Sequence, residues 1–505
     1  MSVAIDTAVD LLETIDLDQV KIDPSLSRLL PASGARRFRS LPLCRVHGEL
    51  VVATSNEDID ATHHFVASHL DGPFHLVRAE EQSLRKRLSS IYAPHTSRVS
   101  FNADSQSEAG EVSEIVEACN DLFLAATMRG ASDIHLLPAE TALHTRFRVD
   151  GVLEDYRSFS NELRSGMVSR IKVLAGLNIA EKREPQDGRI RWQADGNTNH
   201  NGRTKKIDIR VATIPTRYGE RVTMRLLTPI AGLNSLADLG MDELQLAVFS
   251  EAIRSSSGLI LLTGPTGSGK STTLYAAIMQ LLSARGGNVI TVEDPIEYEI
   301  SGATQVEVDS ANKVSFSGAL RSVLRHDPDV IMLGEIRDAE TAELAIKASL
   351  TGHLVFSTLH TNTAAGVVTR LVDMGVAPYL VAATLRLAVA QRLVRRLCPK
   401  CHRPSPLNAT DAAGLGRIEL DREMAYQPNG CVYCAGKGFL GRTALFEIMQ
   451  GGSEVAKMIA GGATELDLSD FAKRSGCRTL IDDGIDKLLL GTTTVEQVLG
   501  TVATW

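Results

Sequence analysis

Residues 258–273 read GLILLTGPTGSGKSTT, and the parsing of that stretch decides the fold. Gly258, Leu259, Ile260, Leu261 and Leu262 form a short apolar run with the character of a buried strand. Gly264, Pro265, Thr266, Gly267, Ser268, Gly269, Lys270 and Ser271 then fit G-x-x-x-x-G-K-[ST], and Thr272 to Leu282 continues as an apolar helix. Strand, glycine loop and helix in that order is the context that makes this pattern a phosphate loop. The glycines let successive backbone N–H groups turn inward onto phosphate oxygens. The helix start adds the positive end of its dipole. Lys270 brings a full charge to the β- and γ-phosphates, and the Ser271 hydroxyl can ligate Mg2+. The candidate nucleotide-binding run is therefore Gly264 to Thr272. A plain glycine turn is the alternative, and the flanking strand and helix speak against it.

From about residue 238 the chain alternates buried strands and helices, the signature of a mostly parallel sheet covered on both faces. The predicted strands are Leu259–Leu262, Val289–Val292, Val330–Leu333 and Leu354–Ser357, each nearly all apolar as doubly covered parallel strands are. In open α/β sheets ligands sit beyond the carboxyl ends of the strands. Polar residues gather there. Glu293, Asp294 and Glu297 follow the second strand, and Gly334, Glu335, Arg337 and Asp338 the third. Thr358 and His360 follow the fourth, with His353 before it. One such cluster alone would pass for a surface loop. Three at the edge that carries a phosphate loop point to nucleotide hydrolysis, which needs one carboxylate to orient water and others to hold hydrated Mg2+. Glu335 is the first candidate for the water-orienting carboxylate and Glu293 the second, with Asp294 supporting the metal. His360 or Thr358 would sense the γ-phosphate. Arg321 and Arg325, one helical turn apart, serve the site, serve a neighbouring subunit, or form a plain surface pair.

The remaining sequence divides by composition. Residues 1–92 form a first unit, with a strand at Leu50–Ala53, a helix at Ala61–Leu70 and a closing helix at Glu80–Tyr92. Nothing in it suggests chemistry, since His63, His64 and His69 read as solvated helix residues, and its expected role is docking. Residues 93–110 are a polar linker. Residues 111–230 form a second, α+β unit. Its helix through Val112–Ala126 ends at Gly130, and strands Asp133–Leu137 and Leu143–Val149 precede a tight Asp150-Gly151 turn. A helix at Leu163–Leu177, a hairpin looping at Asp195–Arg203, and strands Ile207–Val211 and Arg221–Leu227 follow. Arg210 and Arg225 project from these last strands, which in an isolated unit would be a solvated face. Residues 231–505 make up the parallel-sheet domain. The net charge of −8 argues against a general nucleic-acid binder. Met1–Glu13 lacks a basic signal region. The most apolar late segment, Val376–Leu397, is broken by Arg386, Arg392, Arg395 and Arg396. These features predict a cytoplasmic protein, or one peripheral to a membrane.

Seven cysteines are present, and four of them form two C-x-x-C pairs: Cys398 with Cys401, and Cys431 with Cys434. Four sulfurs suit tetrahedral Zn2+ and leave no open position for catalysis. A redox C-x-x-C is the alternative, but it does not account for two pairs. The predicted zinc insert spans 398–434.

Taken together, these motifs resemble the secretion ATPases of the type II secretion and type IV pilus assembly family. GPTGSGKSTT at 264–273 is similar to its phosphate loop, and VITVEDPIEYEI at 289–300 to its aspartate box. LRHDPDVIMLGEIRD at 324–338 resembles its Walker B region, and GHLVFSTLHTN at 352–362 its histidine box. ASDIHL at 131–136, PQDGRI at 185–190 and IPTRYGE at 214–220 match its second N-terminal domain, while the polar loop Asp195–Arg203 departs from the family pattern. The resemblance implies an α/β, RecA-like ATPase domain, an α+β PAS-like N-terminal domain, a small N-terminal docking domain and a zinc-knuckle insert. It implies a homohexamer using ATP and Mg2+ at the cytoplasmic face of the inner membrane, acting on membrane platform proteins. It also implies that Arg210 and Arg225 close over the nucleotide. The tetracysteine insert is a mark of assembly members rather than retraction members. The expected function is thus the motor of type II secretion, powering pseudopilus assembly and protein export. The compact N-terminal region weighs for this over the alternative, a type IV pilus extension ATPase. A nucleic-acid translocase and a non-hydrolysing nucleotide-binding scaffold are the rivals from other classes.

Overall fold

The computed structural model describes residues 14–92, 106–198, 204–227, 235–308 and 315–502. The chain divides into two units. One comprises residues 1–228, 397–403 and 428–440, and the other residues 229–396, 404–427 and 441–505.

The first unit begins with a three-stranded sheet of β1 (Ser40–Val46), β2 (Glu49–Thr54) and β3 (Phe74–Arg78), in the order β1-β2-β3. β1 and β2 are antiparallel, whereas β2 and β3 are parallel and so need a crossover. Helix Ile59–Ala67 supplies it, started by Asp58, whose carboxylate accepts from the Ala61 N–H. Leu84, Leu88 and Ile91 of helix Glu81–Ile91 complete the core with Leu41, Leu43 and Val52. The predicted linker, 93–110, lies largely outside the described residues.

Helix Gln106–Met128 leads into a six-stranded sheet. Its strands are β4 (Ala131–Pro138), β5 (Ala142–Val149), β6 (Val152–Ser160), β7 (Gln186–Thr198), β8 (Thr204–Thr216) and β9 (Gly219–Leu227), ordered β6-β5-β4-β9-β8-β7. Asp150 and Gly151 both take positive φ (49° and 87°), which a tight turn between β5 and β6 demands. One face buries Ile134, Phe147, Ile209 and Met224 against helices Gln106–Met128 and Asn161–Leu174. Residues 199–203, in the predicted Asp195–Arg203 loop, lie outside the described residues.

The second unit holds β10 (Gly258–Thr263), β11 (Val289–Glu293), β12 (Ala303–Glu307), β13 (Val330–Leu333), β14 (Leu354–Leu359), β15 (Leu385–Leu397), the small pair β16 (Arg403–Pro406) and β17 (Met424–Gln427), and β18 (Phe439–Gln450). The main sheet is ordered β12-β11-β13-β14-β10-β15-β18. Its apolar runs are explained by two-sided cover. Leu259 and Leu261 enter one core cluster while Ile260 and Leu262 enter the other. Each such leucine or isoleucine contributes roughly 1.5–3 kcal/mol on burial. β10, β11, β13 and β14 run parallel, so their carboxyl ends share one edge. All four strands predicted for this domain are present.

Candidate active site

The phosphate loop leaves β10 at that shared edge and enters helix Lys270–Arg285. Gly264 has φ +146, and a Cβ there would lie 2.5 Å from the Gln391 carbonyl oxygen and 2.9 Å from Arg392 Nη1. Only glycine fits that approach. The tip residues Pro265, Thr266 and Gly267 are exposed, as is Ser271 at the helix start, while Thr272 is half-buried behind it. The Ser268 hydroxyl is buried without a hydrogen-bond partner among the described residues. Such a group costs free energy until something binds it, and a phosphate oxygen is a suitable acceptor. Lys270 is turned back on its own loop, donating to the carbonyl oxygens of Gly264 (2.7 Å) and Pro265 (3.1 Å). Burial pushes its ammonium down to about 8; Glu335 opposes that shift and Arg392 adds to it.

Along the same edge, Arg337 links two of the predicted residues, and a third joins through Glu335. Arg337 pairs with Glu335 Oε1 and lies 3.3 Å from Asp294 Oδ2. His360 Nε2 sits 3.4 Å from the other Glu335 oxygen. Burial alone would raise the Glu335 carboxyl, but the Arg337 guanidinium and His360 outweigh it and hold it below its ordinary value. Glu293 is placed differently. It is 4 % exposed and accepts from the Tyr275 hydroxyl, from Thr291 Oγ1 (2.6 Å) and from Gln305 Nε2 (3.0 Å). β14 runs through Thr358 rather than ending before it, and Thr358 donates to the Gly334 carbonyl (2.7 Å), tying β14 to the loop after β13. Arg321 pairs with Glu340, and Arg325 donates to the Arg321 carbonyl on its own helix.

Two arginines matter more here than their sequence neighbours suggest. Arg337, one of several polar residues after the third strand, links Glu335 to Asp294. Arg392, which in the sequence simply interrupts an apolar run, is buried beside the loop and donates to the Gln391 and Asn362 carbonyls. Burial lowers its guanidinium, with Glu447 opposing. The signal available in sequence was an arginine in the middle of an otherwise buried strand. The neighbouring Gln391 side chain receives the Thr273 hydroxyl at 2.9 Å, bracing the start of the phosphate-loop helix.

In the first unit, Arg210 and Arg225 lie opposite one another on β8 and β9. Arg189 pairs with Arg210 on β7, and Asp133 with Arg225 on β4. Facing partners in antiparallel strands share a side of the sheet, so these four form a row across the face away from the core. Arg225 Nε donates to the buried Asp133 carboxylate at 2.9 Å.

The four predicted cysteines converge, also in the first unit, with ligand atoms within 4.8 Å of one another. Sequence order places them inside the 231–505 span, but by contact they group with the N-terminal residues. The Sγ separations Cys398–Cys431, Cys401–Cys434 and Cys431–Cys434 are each 3.8 Å. A tetrahedron with Zn–S of about 2.3 Å has edges of about 3.8 Å. Backbone N–H groups of Gly430, Cys431 and Gly438 point at Cys401 and Cys434 sulfurs (3.1–3.3 Å), as thiolate acceptors require. The donor set and its spacing fit zinc.

A covered parallel sheet, a phosphate loop and a carboxylate–arginine–histidine cluster at one edge define a RecA-like P-loop ATPase. Residues 108–500 match the model of the type II/IV secretion system protein family, and residues 11–98 that of the MshEN domain. The chain belongs to the type II/IV secretion system protein family. It is 37% identical to the type IV pilus assembly ATPase PilB of Myxococcus xanthus, over 97% of this chain and 88% of that protein. It is 40% identical to type II secretion system protein HxcR of Pseudomonas aeruginosa, over 93% of this chain and 98% of that one, and 46% identical to protein E of the same organism over 76% and 75%. Among solved structures, the pilus retraction motor PilT with bound ADP superposes with a TM-score of 0.52 at 25% identity, covering 75% of this chain and 96% of that one. The Legionella pneumophila ATPase DotB, at 22% identity and a TM-score of 0.55 over 76% and 94%, shares the fold.

Proposed function

We propose that this ATPase is the motor of a type II secretion system, powering pseudopilus assembly and export as a hexameric ring on the cytoplasmic face of the inner membrane. The observation that carries the catalytic part is the Glu335–Arg337–Asp294–His360 cluster beside the phosphate loop. Glu335 is the water-orienting residue in this reading. Its two oxygens face exposed, charged or titratable partners, whereas both Glu293 oxygens are occupied by neutral donors, which supports a positioning role for Glu293. Mg2+ would be held by Ser271, with Asp294 acting through its hydration shell, and would offset phosphate charge. His360 senses the γ-phosphate through Glu335. Arg210 and Arg225 supply further positive charge when their domain closes over the nucleotide. The four cysteines hold a structural zinc. The modules proposed are a docking domain at 1–92, a linker at 93–110, an α+β domain at 111–230 and the ATPase domain at 231–505.

The secretion role draws support from the relatives named for type II secretion, one of which is matched nearly end to end. The near-full-length match to PilB keeps type IV pilus extension as a second reading. Deleting the gene and complementing it with wild type or Lys270→Ala separates the two. The secretion reading expects loss of exported enzymes with surface pili intact. Loss of pili with export intact selects the other.

A further inference from the structure

The zinc-fitting knuckle is seated on the first N-terminal module. Val432, Tyr433 and Ala435 pack half-buried against the cluster that contains Leu41, Cys44 and Val51. The Val432 carbonyl lies 3.9 Å from Cys44 Sγ, within reach of a thiol donor. Gly436 comes so near β1 that a Cβ would stand 2.5 Å from the Arg45 carbonyl oxygen, and its φ of +77 reserves the place for glycine. β1 is an edge strand, which ordinarily presents one side to water. Its residues Ser40 to Cys44 are all buried, and the Leu43 carbonyl accepts from the Asp23 N–H of the same module (2.8 Å). The register shifts between Pro42 and Cys44, a bulge of the kind that re-aims a side chain. One residue beyond Gly436, Lys437 Nζ holds both carboxylate oxygens of Glu154 on β6 (2.5 and 2.6 Å). Six consecutive residues thus grip both N-terminal modules.

We propose that the knuckle is the latch that holds the first module in place, and that metal loading sets whether the latch is formed. The first half stands on the contacts alone; the second rests on the zinc reading above. The physical link is local. Ala435 takes positive φ (53°) without being glycine, a backbone conformation that costs free energy to hold. Backbone N–H groups of Gly430, Cys431 and Gly438 donate to the Cys401 and Cys434 sulfurs, and a metal held by all four sulfurs would tie 398–401 to 431–434. Binding free energy is then folding free energy for the knuckle. The gripping residues 432–437 begin between ligands Cys431 and Cys434, so losing the metal loosens the seat directly. The first module would pass between held and released states without any change in its own sequence or core.

Hydrogen exchange of the full chain tests this, read at residues 40–46 with zinc content measured in parallel. Val432→Lys should keep one zinc per chain yet raise exchange there by about tenfold. Chelating the metal from the wild type should do the same. Lys437→Glu should give a smaller rise that Glu154→Lys in the same chain reverses, a comparison that survives if Val432→Lys fails to fold. Unchanged exchange at 40–46 in metal-replete Val432→Lys and Lys437→Glu overturns the latch. Latch variants that respond while chelation changes nothing overturn metal control alone. A metal-free wild type sinks the zinc reading by itself.

Discussion

Lys270 spends its charge on two carbonyl oxygens of its own loop, under burial that lowers its pKa to about 8. A bound triphosphate favours the ammonium form, so binding raises that value. A group whose value rises on binding takes up a proton above its free value. ATP affinity should therefore fall as pH rises through about 8, with proton uptake visible by calorimetry in buffers of different ionisation enthalpy. Pairs of buffers giving identical heats near pH 8.5 (roughly half a unit above the free value) would contradict this. Lys270→Ala should remain folded and lose hydrolysis, because backbone geometry rather than the lysine shapes the loop. Glu335→Gln should still bind ATP while hydrolysing it more slowly by about 100-fold or more. Glu293→Gln, in contrast, should lower thermal stability by about 1–3 kcal/mol, since it breaks a buried network of three donors. Turnover unchanged in Glu335→Gln would transfer the water-orienting role to Glu293.

Strands and loops add a second scale. β13, β14 and β10 are neighbours in the sheet, which is why Glu335, His360 and the phosphate loop come to one place though far apart in sequence. The row on β7, β8, β9 and β4 is equally a product of register, because a slip of one residue would turn Arg210 and Arg225 into the core. Arg210→Ala and Arg225→Ala should each reduce hydrolysis by at least about tenfold while nucleotide binding persists, measured by phosphate release and by fluorescent-nucleotide binding. A double mutant with near-wild-type turnover would make the row a solvated face. In the knuckle, Cys398→Ser and Cys434→Ser should each abolish the single zinc, measured by metal analysis, because a tetrahedral site missing one thiolate loses most of its affinity.

At the scale of the molecule, the proposed ring predicts that specific activity rises with protein concentration as subunits assemble, checked by phosphate release against mass measured in solution. Activity per chain that stays flat across a monomer-to-ring transition would remove assembly from the mechanism. The phosphate loop, the four parallel strands and the cysteine quartet were legible in the sequence. They depend on local rules: apolar continuity marks covered strands, glycine spacing marks an anion loop, and C-x-x-C pairs mark thiolate ligands. The Asp150-Gly151 turn was legible for the same reason. Arg337, Arg392 and the three donors around Glu293 were not, because their roles come from partners contributed by separate strands and loops. Nor could sequence order show that residues 428–440 group with the N-terminal unit while their neighbours on either side belong to the other. The phosphate loop and a four-cysteine set that fits a metal were readable in the chain alone, since both are written in short spacings. Packing alone set that Glu335 pairs with Arg337 and His360 while Glu293 is buried among neutral donors, and what the knuckle rests on, because desolvation and long-range contact exist only once the chain is packed.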